Sequence, residues 1–443
     1  MNSGQGTMGS VLGNGRRALA EEVPVGYKRT EVGIIPEDWM ARHLGSCLRY
    51  APGYGINAAA VPYDDRLPTY LRITDISDDC RFRPSPRVSV RNSSVPRFFL
   101  SEGDLVFART GASVGKSYRY DKKDGPLVFA GFLIRISPDP EKLEPAFLAY
   151  CVQSRRYWEW VATMSIRSGQ PGINGQEYAM FQIPLPPPSE QRAIAEALSD
   201  VDGLLAALEA LIAKKRAIKQ ATMQQLLTSK TRLPGFSGEW ETTTVGEVAD
   251  IRNGATPSTQ IGAYWNGPIP WCTPTDITAT PGKYLCATER SITAMGLANC
   301  AASLLPVGAL LLCSRATIGE IKIAVSSVCT NQGFKSLVCK DGVSNEFLYY
   351  LLLTLKPQMI ERAIGSTFLE IGKRDVTSIE LCIPTYAEQC AIATVLSDMD
   401  AEIAVLERRR DKTRAVKQGM MQQLLTGRVR LVQLSRSTEE AAC

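Results

Sequence analysis

The sequence contains one stretch of thirteen residues twice, as EQRAIAEALSDVD at positions 190–202 and as EQCAIATVLSDMD at positions 388–400. The same shift of 198 residues relates KQATMQQLLT at 219–228 to KQGMMQQLLT at 417–426. More than half of the positions are identical between 190–233 and 388–431. Since long self-similarity at a fixed shift indicates a duplicated structural unit, the chain is a tandem duplication.

Fainter matches extend the duplication towards the N-terminus. They are Trp39 with Trp240, TDI at 74–76 with TDI at 275–277, GF at 131–132 with GF at 333–334, and IP at 183–184 with IP at 383–384. Each half therefore consists of a diverged block followed by a nearly constant block.

The constant blocks carry the heptad pattern of a coiled coil, in which apolar residues recur at alternating intervals of four and three. These residues are Ile194, Leu198, Val201, Leu205, Leu208 and Ile212, and in the copy Ile392, Leu396, Met399, Ile403 and Leu406. Ser189 is a candidate N-cap, Thr385 and Glu388 have the spacing of a capping box, and Gly427 is a stop signal. We predict two helices of about 38 residues each.

An apolar stripe of this length needs a partner. The other copy can supply it, and antiparallel pairing would then place one diverged block at each end of a helical pair. The alternative is that each helix packs on its own domain. Both stripes turn basic near their ends, with Lys214, Lys215, Arg216 and Lys219 in one, and Arg408, Arg409, Arg410, Lys412, Arg414 and Lys417 in the other.

The diverged blocks have the size of ordinary domains. Their short β-type runs (LVFA, LVFAGFLIRI, ALLLC and IKIAVSS) are interrupted by Gly, Pro and Asn, and a helical stretch lies near the end of each block. The fold class is α+β, with two similar α/β domains separated by two long antiparallel coiled-coil helices. We predict a disordered leader at 1–24, domains at 25–185 and 233–385, helices at 186–232 and 386–430, and a tail at 431–443.

Basic residues form the candidate nucleic-acid contacts. Five arginines and no acidic residue lie between Cys80 and Leu100, interleaved with aromatic residues, a composition suited to phosphate and base contact; a solvated surface is the alternative. The candidates in the first domain are Arg81, Arg83, Arg87, Arg91, Arg109, Lys116 and Arg119. The second domain is less basic around Lys283 and Arg290, and its candidates are Lys283, Arg315, Lys322 and Lys335.

Catalytic motifs are missing. GASVGKS at 111–117 lacks the first glycine of a phosphate-binding loop, because that position is Thr110. The single histidine, His43, leaves little material for acid–base catalysis, and the twelve cysteines contain no Cys-x-x-Cys pair, which excludes the usual zinc sites. Unpaired thiols and the lack of a long apolar stretch predict a cytoplasmic protein without a membrane span.

The sequence resembles specificity subunits of type I restriction–modification systems. The resemblance is carried by GYKRTEVGIIPEDW at 26–39 and RLPGFSGEWE at 232–241, which open the two halves, and by the IPLPPPSEQRAIA and KQATMQQLLT stretches with their copies, which close them. It covers nearly all of 26–431. In that family two target-recognition domains each read one half of a split, asymmetric DNA sequence.

The resemblance also implies partners and cofactors. Double-stranded DNA would bind the domains, and the paired helices would dock two modification subunits that methylate adenine; ATP-driven restriction subunits can be added. S-adenosylmethionine, ATP and Mg²⁺ would be bound by these partners and none by this chain, which would catalyse nothing alone. A structural coiled-coil adaptor and an enzyme of DNA metabolism are the alternatives; divergence confined to the domains favours recognition.

Overall fold

The computed structural model describes residues 22–166, 171–365 and 369–431. The predicted leader, apart from its last three residues, and the predicted tail, apart from Leu431, lie outside the described residues. The chain divides into two compact units, one of residues up to Leu204 together with those from Thr413 onward, the other of Leu205–Lys412. Each unit therefore contains one domain and parts of both long helices.

The domain of the first unit contains twelve strands and three helices among the residues described. The strands are β1 (Tyr27–Thr30), β2 (Gly33–Pro36), β3 (Met40–His43), β4 (Gly53–Tyr54), β5 (Ala60–Pro62), β6 (Thr69–Leu71), β7 (Val88–Val90), β8 (Leu105–Ala108), β9 (Ser117–Arg119), β10 (Leu127–Phe129), β11 (Leu133–Ile136) and β12 (Gln182–Leu185). The helices are α1 (Pro145–Cys151), α2 (Arg155–Ser165) and α3 (Gly175–Met180).

Two four-stranded sheets form this domain. One is antiparallel with the order β4-β11-β8-β9, and the other has the order β10-β6-β7-β5 with β10 parallel to β6. The run LVFAGFLIRI, which reads as one stretch, therefore supplies strands to both sheets, since Gly131 falls between β10 and β11. Strands β3 and β12 pair antiparallel and bring the two ends of the domain together.

Helix α4 (Pro188–Leu226) follows, and the domain of the second unit comes after it. Its strands are β13 (Glu241–Thr244), β14 (Ala249–Asn253), β15 (Trp265–Cys272), β16 (Tyr284–Leu285), β17 (Arg290–Ile292), β18 (Leu310–Leu312), β19 (Ile321–Ala324), β20 (Cys329–Thr330), β21 (Lys335–Cys339) and β22 (Glu380–Ile383). Its helices are α5 (Val245–Val248), α6 (Pro274–Ala279), α7 (Ala294–Ala298), α8 (Asn345–Thr354), α9 (Lys356–Glu361) and α10 (Lys373–Thr377), and α11 (Tyr386–Leu424) closes the chain.

The second domain repeats the first in a modified form. Its larger sheet has the order β14-β21-β18-β19-β16, and its smaller sheet has the order β17-β15-β20 with β20 parallel to β15. Strands β13 and β22 pair as β3 and β12 do. Backbone hydrogen bonds match Leu133 with Phe334, because Leu133 pairs with Ala108 and Phe334 with Cys313. The sequence alone matches GF at 131–132 with GF at 333–334. That alignment is therefore wrong by one residue, because Leu133 and not Phe132 is equivalent to Phe334.

The long helices have 39 residues each, close to the predicted length, but both end six residues earlier than expected. Pro188 begins α4, so Ser189 lies inside the first turn rather than capping it; proline suits that position because its missing N–H would have no helical partner. Beyond the helix ends, Ser229 and Gly427 have φ angles of +56° and +69°. A Cβ on Gly427 would lie 2.5 Å from Pro36, so this turn requires glycine.

Apolar residues of both long helices belong to the core of each unit. In the first unit, Ile194 and Leu198 of α4 and Leu424 of α11 belong to the same core as Phe147 of α1. In the second unit, the equivalent residues of the two helices join the core around Phe347; these are Ile392, Leu396 and Leu226. Each helix thus begins on its own domain, and the end of the other helix completes that core, so neither sequence alternative describes the packing alone.

Candidate nucleic-acid interface

Two buried glutamates explain why the repeated blocks begin with EQ and end with a basic residue. Glu190 is 1% exposed, and both of its oxygens accept hydrogen bonds from Arg430, at 2.6 and 2.8 Å. In the second unit, Arg232 donates to both oxygens of Glu388 at 2.6 Å. The hydrogen bonds from its guanidinium to Glu190 raise the pKa of Arg430 above its usual range. The carboxylate of Glu388, predicted to cap α11, is held by this arginine.

The glutamine that follows each glutamate ties the helix to its domain. The Gln191 side chain accepts from the backbone N–H of Glu144 and donates to the carbonyl of Pro186, at 2.8 and 2.9 Å. Gln389 makes the same pair of contacts, with the N–H of Ser344 and the carbonyl of Pro384, both at 2.9 Å. The amide of each EQ pair therefore fixes the start of α1 or α8 against a long helix.

A Tyr–Asp–Lys group occurs once in each unit and joins the two long helices. Asp202 of α4 accepts a hydrogen bond from Tyr150 at 2.9 Å and pairs with Lys417 of α11 at 2.7 Å. In the second unit, Asp400 accepts from Tyr350 at 2.7 Å and pairs with Lys219 at 2.5 Å. These contacts account for the repeated SDxD and KQ stretches, and they show that the helices run antiparallel within each unit.

Further ion pairs join α4 to α11 in the second unit. Lys215 lies 2.7 Å from Glu402, and Arg216 donates to Glu407. Much of the basic run predicted along α4 is therefore used in ion pairs between the helices.

Of the eleven residues predicted for the apolar stripes, eight are buried and three are half-buried; the latter are Val201, Met399 and Leu406.

The basic candidates of the first domain differ in what they already contact. Arg81 and Arg83 pair with Asp79, at 3.4 and 2.7 Å, and Lys116 pairs with Asp78 at 2.5 Å. Arg87 lies over the rings of Tyr63 and Phe82, with its guanidinium carbon 5.4 and 5.8 Å from their centroids. Exposed ion pairs of this kind contribute little to stability.

Three other candidates of the first domain are accessible. Arg91 and Arg119 are exposed, and within the described ranges no acidic side chain forms an ion pair with either. Arg109 is half-buried with its guanidinium carbon 4.9 Å from the ring centroid of Tyr54.

Two of the four basic candidates in the second domain are buried. Lys283 has a side chain 9% exposed, donates to Glu346 and Ser397, and lies over Tyr350. Lys335 is 8% exposed and pairs with Glu370 at 3.3 Å. Lys322 donates to the carbonyl of Gly282, and burial lowers its pKa. Of these four candidates only Arg315 is exposed, and it too contacts Glu370, at 2.7 Å.

Burial also identifies Lys283 as part of a structural network rather than a DNA contact. Burial by itself would raise the pKa of Glu346, but hydrogen bonds from Lys283, Tyr284 and Ser397 outweigh it and lower that pKa. A lysine with this degree of burial needs such a partner. We therefore remove Lys283 and Lys335 from the set of DNA-contact candidates.

The phosphate-loop-like segment is a turn shared by both domains. It joins β8 to β9, and SRATIGE at 314–320 joins β18 to β19 in the second domain. Gly115 and Gly319 have φ angles of +88° and +83°. Gly115 donates its N–H to Ala108 at the end of β8, and Gly319 donates to Cys313, the residue after β18. A helix does not follow either turn, so the segment lacks the dipole that a phosphate-binding loop needs.

Residues 22–166, 171–365 and 369–431 contain no cluster of three or more His, Cys, Asp or Glu side chains placed to hold a metal ion. In the same ranges, every helix is too short or too polar to cross a membrane.

Sequence reasoning missed the acidic partners of the helix arginines and lysines. Its only signal for Glu190, Asp202 and their copies was identity between the repeats, because their partners lie far away in the chain. It also noted Arg290 only as a charge, although its guanidinium carbon lies 3.7 Å from the centroid of the Trp265 ring.

The comparison with known families rests on two separate matches. The family model described as "Type I restriction modification DNA specificity domain" matches residues 95–220 and 237–413, one match in each half of the duplication. The chain belongs to this family. Both matches of the specificity-domain model reach from a domain well into the long helix that follows it, so the family pattern includes the helix as well as the domain.

Other members of the specificity-domain family cover the chain to different extents. The putative type I restriction enzyme MjaX specificity subunit of Methanocaldococcus jannaschii is 26% identical over 429 residues, which are 91% of this chain and 97% of that protein. The MjaIX specificity subunit of the same organism is 39% identical, but over 164 residues, 37% of this chain and 38% of that protein.

Solved structures share the fold. The S subunit of a type I restriction–modification system from M. genitalium is 16% identical and has a TM-score of 0.56, covering 87% of this chain and 96% of that one. A chain from a structure described as showing complex assembly and conformational transition of the type I R-M system is 19% identical with a TM-score of 0.53, covering 89% of this chain and 99% of that one.

Proposed function

We propose that this chain is the non-catalytic specificity subunit of a type I restriction–modification complex, in which each domain reads one half of a split DNA target. The observation that carries the proposal is the combination of two similar domains with different surfaces and two helices with nearly identical contacts. A duplicated reader of one repeated sequence would not need surfaces that differ. Relatives of the same family are named specificity subunits.

Exposed arginines would supply the phosphate contacts. In the first domain these are Arg87, Arg91 and Arg119, joined by Arg81, Arg83, Arg109 and Lys116 once their present contacts are exchanged. In the second domain the exposed Arg315 would contribute in exchange for its contact with Glu370. Phosphate contacts position a protein on DNA, while base-edge contacts specify the sequence. A net charge of only +5 means that such local groups, and not a general field, must hold the DNA.

The helices would dock two modification subunits and set the spacing of the two half-sites. The ion pairs and Tyr–Asp–Lys groups make each helical segment a defined surface, because every member has a fixed partner. S-adenosylmethionine, ATP and Mg²⁺ would be bound by the modification and restriction subunits. A plain coiled-coil adaptor would have the helices too, but it would have no use for two diverged domains.

A domain exchange tests this proposal. Residues 44–181 lie between β3 and β12, so replacing them with the corresponding segment of a relative keeps the strand pair that closes the domain. The relative should have a tyrosine in place of Tyr150, to keep the hydrogen bond to Asp202. The complex with modification subunits is expected to methylate a target with one altered half, as measured by sequencing of methylated bases.

The matched control exchanges residues 245–379 between β13 and β22, and it should alter the other half alone. A change in both halves from either exchange would contradict independent reading. The purified chain with DNA and S-adenosylmethionine is the second control; methyl transfer without a partner would favour the alternative of a DNA-metabolism enzyme.

A further inference from the structure

One loop in each domain, around Gly55 in the first and Gly254 in the second, lies in close backbone contact with the residues that follow a neighbouring strand. In the second domain a Cβ on Gly254 would lie 2.0 Å from the carbonyl oxygen of Asn331, and in the first domain a Cβ on Gly55 would lie 2.2 Å from that of Ala130. Such distances exclude any side chain at the two glycines. The next residue of each loop, Ala255 or Ile56, donates its N–H to a strand carbonyl at 2.9 Å.

Aromatic side chains hold both loops by donating hydrogen bonds to their backbone carbonyls. Trp271 donates its indole N–H to the carbonyl of Ala255 and Trp265 donates to that of Ser258, each at 3.0 Å. In the first domain the hydroxyl of Tyr70 lies 2.9 and 3.0 Å from the carbonyls of Ile56 and Ala58. Trp271 and Tyr70 are 3% and 4% exposed, so these contacts belong to the domain core. The loops are therefore held rigidly, and their outer side chains occupy fixed positions.

The outer side chains differ between the two loops although the scaffold is shared. The position of Ala130 and Gly131 in the first domain is occupied by Asn331 and Gln332 in the second, as the equivalent strand hydrogen bonds Ala130 to Leu71 and Asn331 to Cys272 show. Gln332 is exposed and accepts a hydrogen bond at 2.6 Å from Thr256, which is also exposed. A hydroxyl bound to the amide oxygen fixes the orientation of the amide.

A cation stacks on the two tryptophans that hold this loop. The guanidinium carbon of Arg290 lies 3.7 and 5.2 Å from the ring centroids of Trp265 and Trp271. Arg290 is exposed, and no ion pair engages it anywhere in the three described stretches. A stacked guanidinium keeps its donors free at its edges, which suits a phosphate oxygen.

We propose that Gln332, oriented by Thr256 on the loop held by Trp265 and Trp271, reads a base in the half-site of the second domain, with Arg290 on an adjacent phosphate. Gln pairs with the N6 and N7 atoms of adenine through one donor and one acceptor, and the amide oxygen of Gln332 retains a second lone pair for this purpose. The inference rests on the proposed function and assigns the residues that perform it.

The test compares variants of the full chain, each co-expressed with its modification subunits, by sequencing of methylated bases. Q332A is expected to relax one position of one half-site, by about ten- to a hundredfold in preference, and to leave the other half unchanged. W265F keeps an aromatic ring, although a smaller one, and removes the indole N–H that donates to Ser258, so it should relax the same position. Q358A, on α9 and away from the loop, is the matched control and should change nothing.

R290A gives an independent readout. In binding to a target oligonucleotide at several salt concentrations, it should weaken affinity for all sequences alike and flatten the log–log salt slope by about one unit, without altering the methylated motif. An unchanged motif with Q332A at normal methylation would overturn the assignment, as would relaxation in the half-site that the 44–181 exchange alters. If the unmodified complex itself methylates no two-part motif, the proposed function fails, and the assignment fails with it.

Discussion

At the scale of single residues, the most constrained groups are the two buried glutamates. Glu190 has three donors, two from Arg430 and one from the indole of Trp39 at 2.9 Å, and Arg430 also reaches Asp38 at 2.7 Å. A buried carboxylate is costly unless hydrogen bonds replace its hydration. The Arg430 side chain therefore holds the last described turn of the chain to the start of α4.

Replacing Arg430 with alanine should lower the free energy of unfolding by about 3 kcal/mol, because it leaves a buried charge without its main partner. Urea denaturation of the purified chain measures the change. The control is R155A, which removes an exposed partner of Glu159 and should lower the free energy of unfolding by no more than about 0.4 kcal/mol. Equal midpoints for R430A and the unmodified chain would mean that Glu190 is protonated or solvated rather than paired.

At the scale of elements, the long helices are joined by polar groups as well as by apolar stripes. The second unit shows this most clearly, because Lys219, Asp400 and Tyr350 form one network in which the lysine side chain is 18% exposed. A coiled coil held by leucines alone could shift by a heptad, whereas buried polar pairs fix the register.

A double-mutant cycle measures this contribution. K219M and D400N should each destabilise the chain, and their combined effect should fall short of the sum by about 1 kcal/mol, the coupling typical of residues in direct contact. The same cycle on Arg155 and Glu159, an exposed pair within one helix, should give about 0.4 kcal/mol. Additive effects at Lys219 and Asp400 would show that register is set by the apolar stripe.

At the scale of the whole molecule, the two Tyr–Asp–Lys groups stand at equal spacings along the two long helices. Asp202 and Lys219 are seventeen positions apart in α4, and Asp400 and Lys417 are seventeen positions apart in α11. An insertion in one helix alone would make these two spacings unequal. A change of helix length must therefore be made in both copies.

Inserting four residues after Ala206 and four after the equivalent Ala404 adds about 6 Å to each helix. With a rise of about 3.4 Å per base pair, the spacer of the methylated target should grow by one or two base pairs, while both half-sites stay the same. Insertion after Ala206 alone is the control and should reduce stability. An unchanged spacer with the double insertion would show that the helices do not determine the distance.

The sequence by itself determined the duplication, the two helices and the family. These follow from local information, since heptad spacing and identity between repeats can be read without knowing any distant contact. It also predicted a helical stretch near the end of each domain, and these stretches became α1 and α8. Boundaries were less certain because helix ends depend on the turns that follow, as at Ser229 and Gly427.

Only the tertiary structure decided which charges are free and which are used internally. Arg430 meets a glutamate 240 positions away, and Arg232 meets one 156 positions away, distances over which composition and spacing carry no signal. The same holds for Lys283, which reads as a surface cation but is buried against Glu346, and for Arg290, which is exposed on two tryptophans. The physical reason is that burial and pairing depend on every neighbour that the fold brings together.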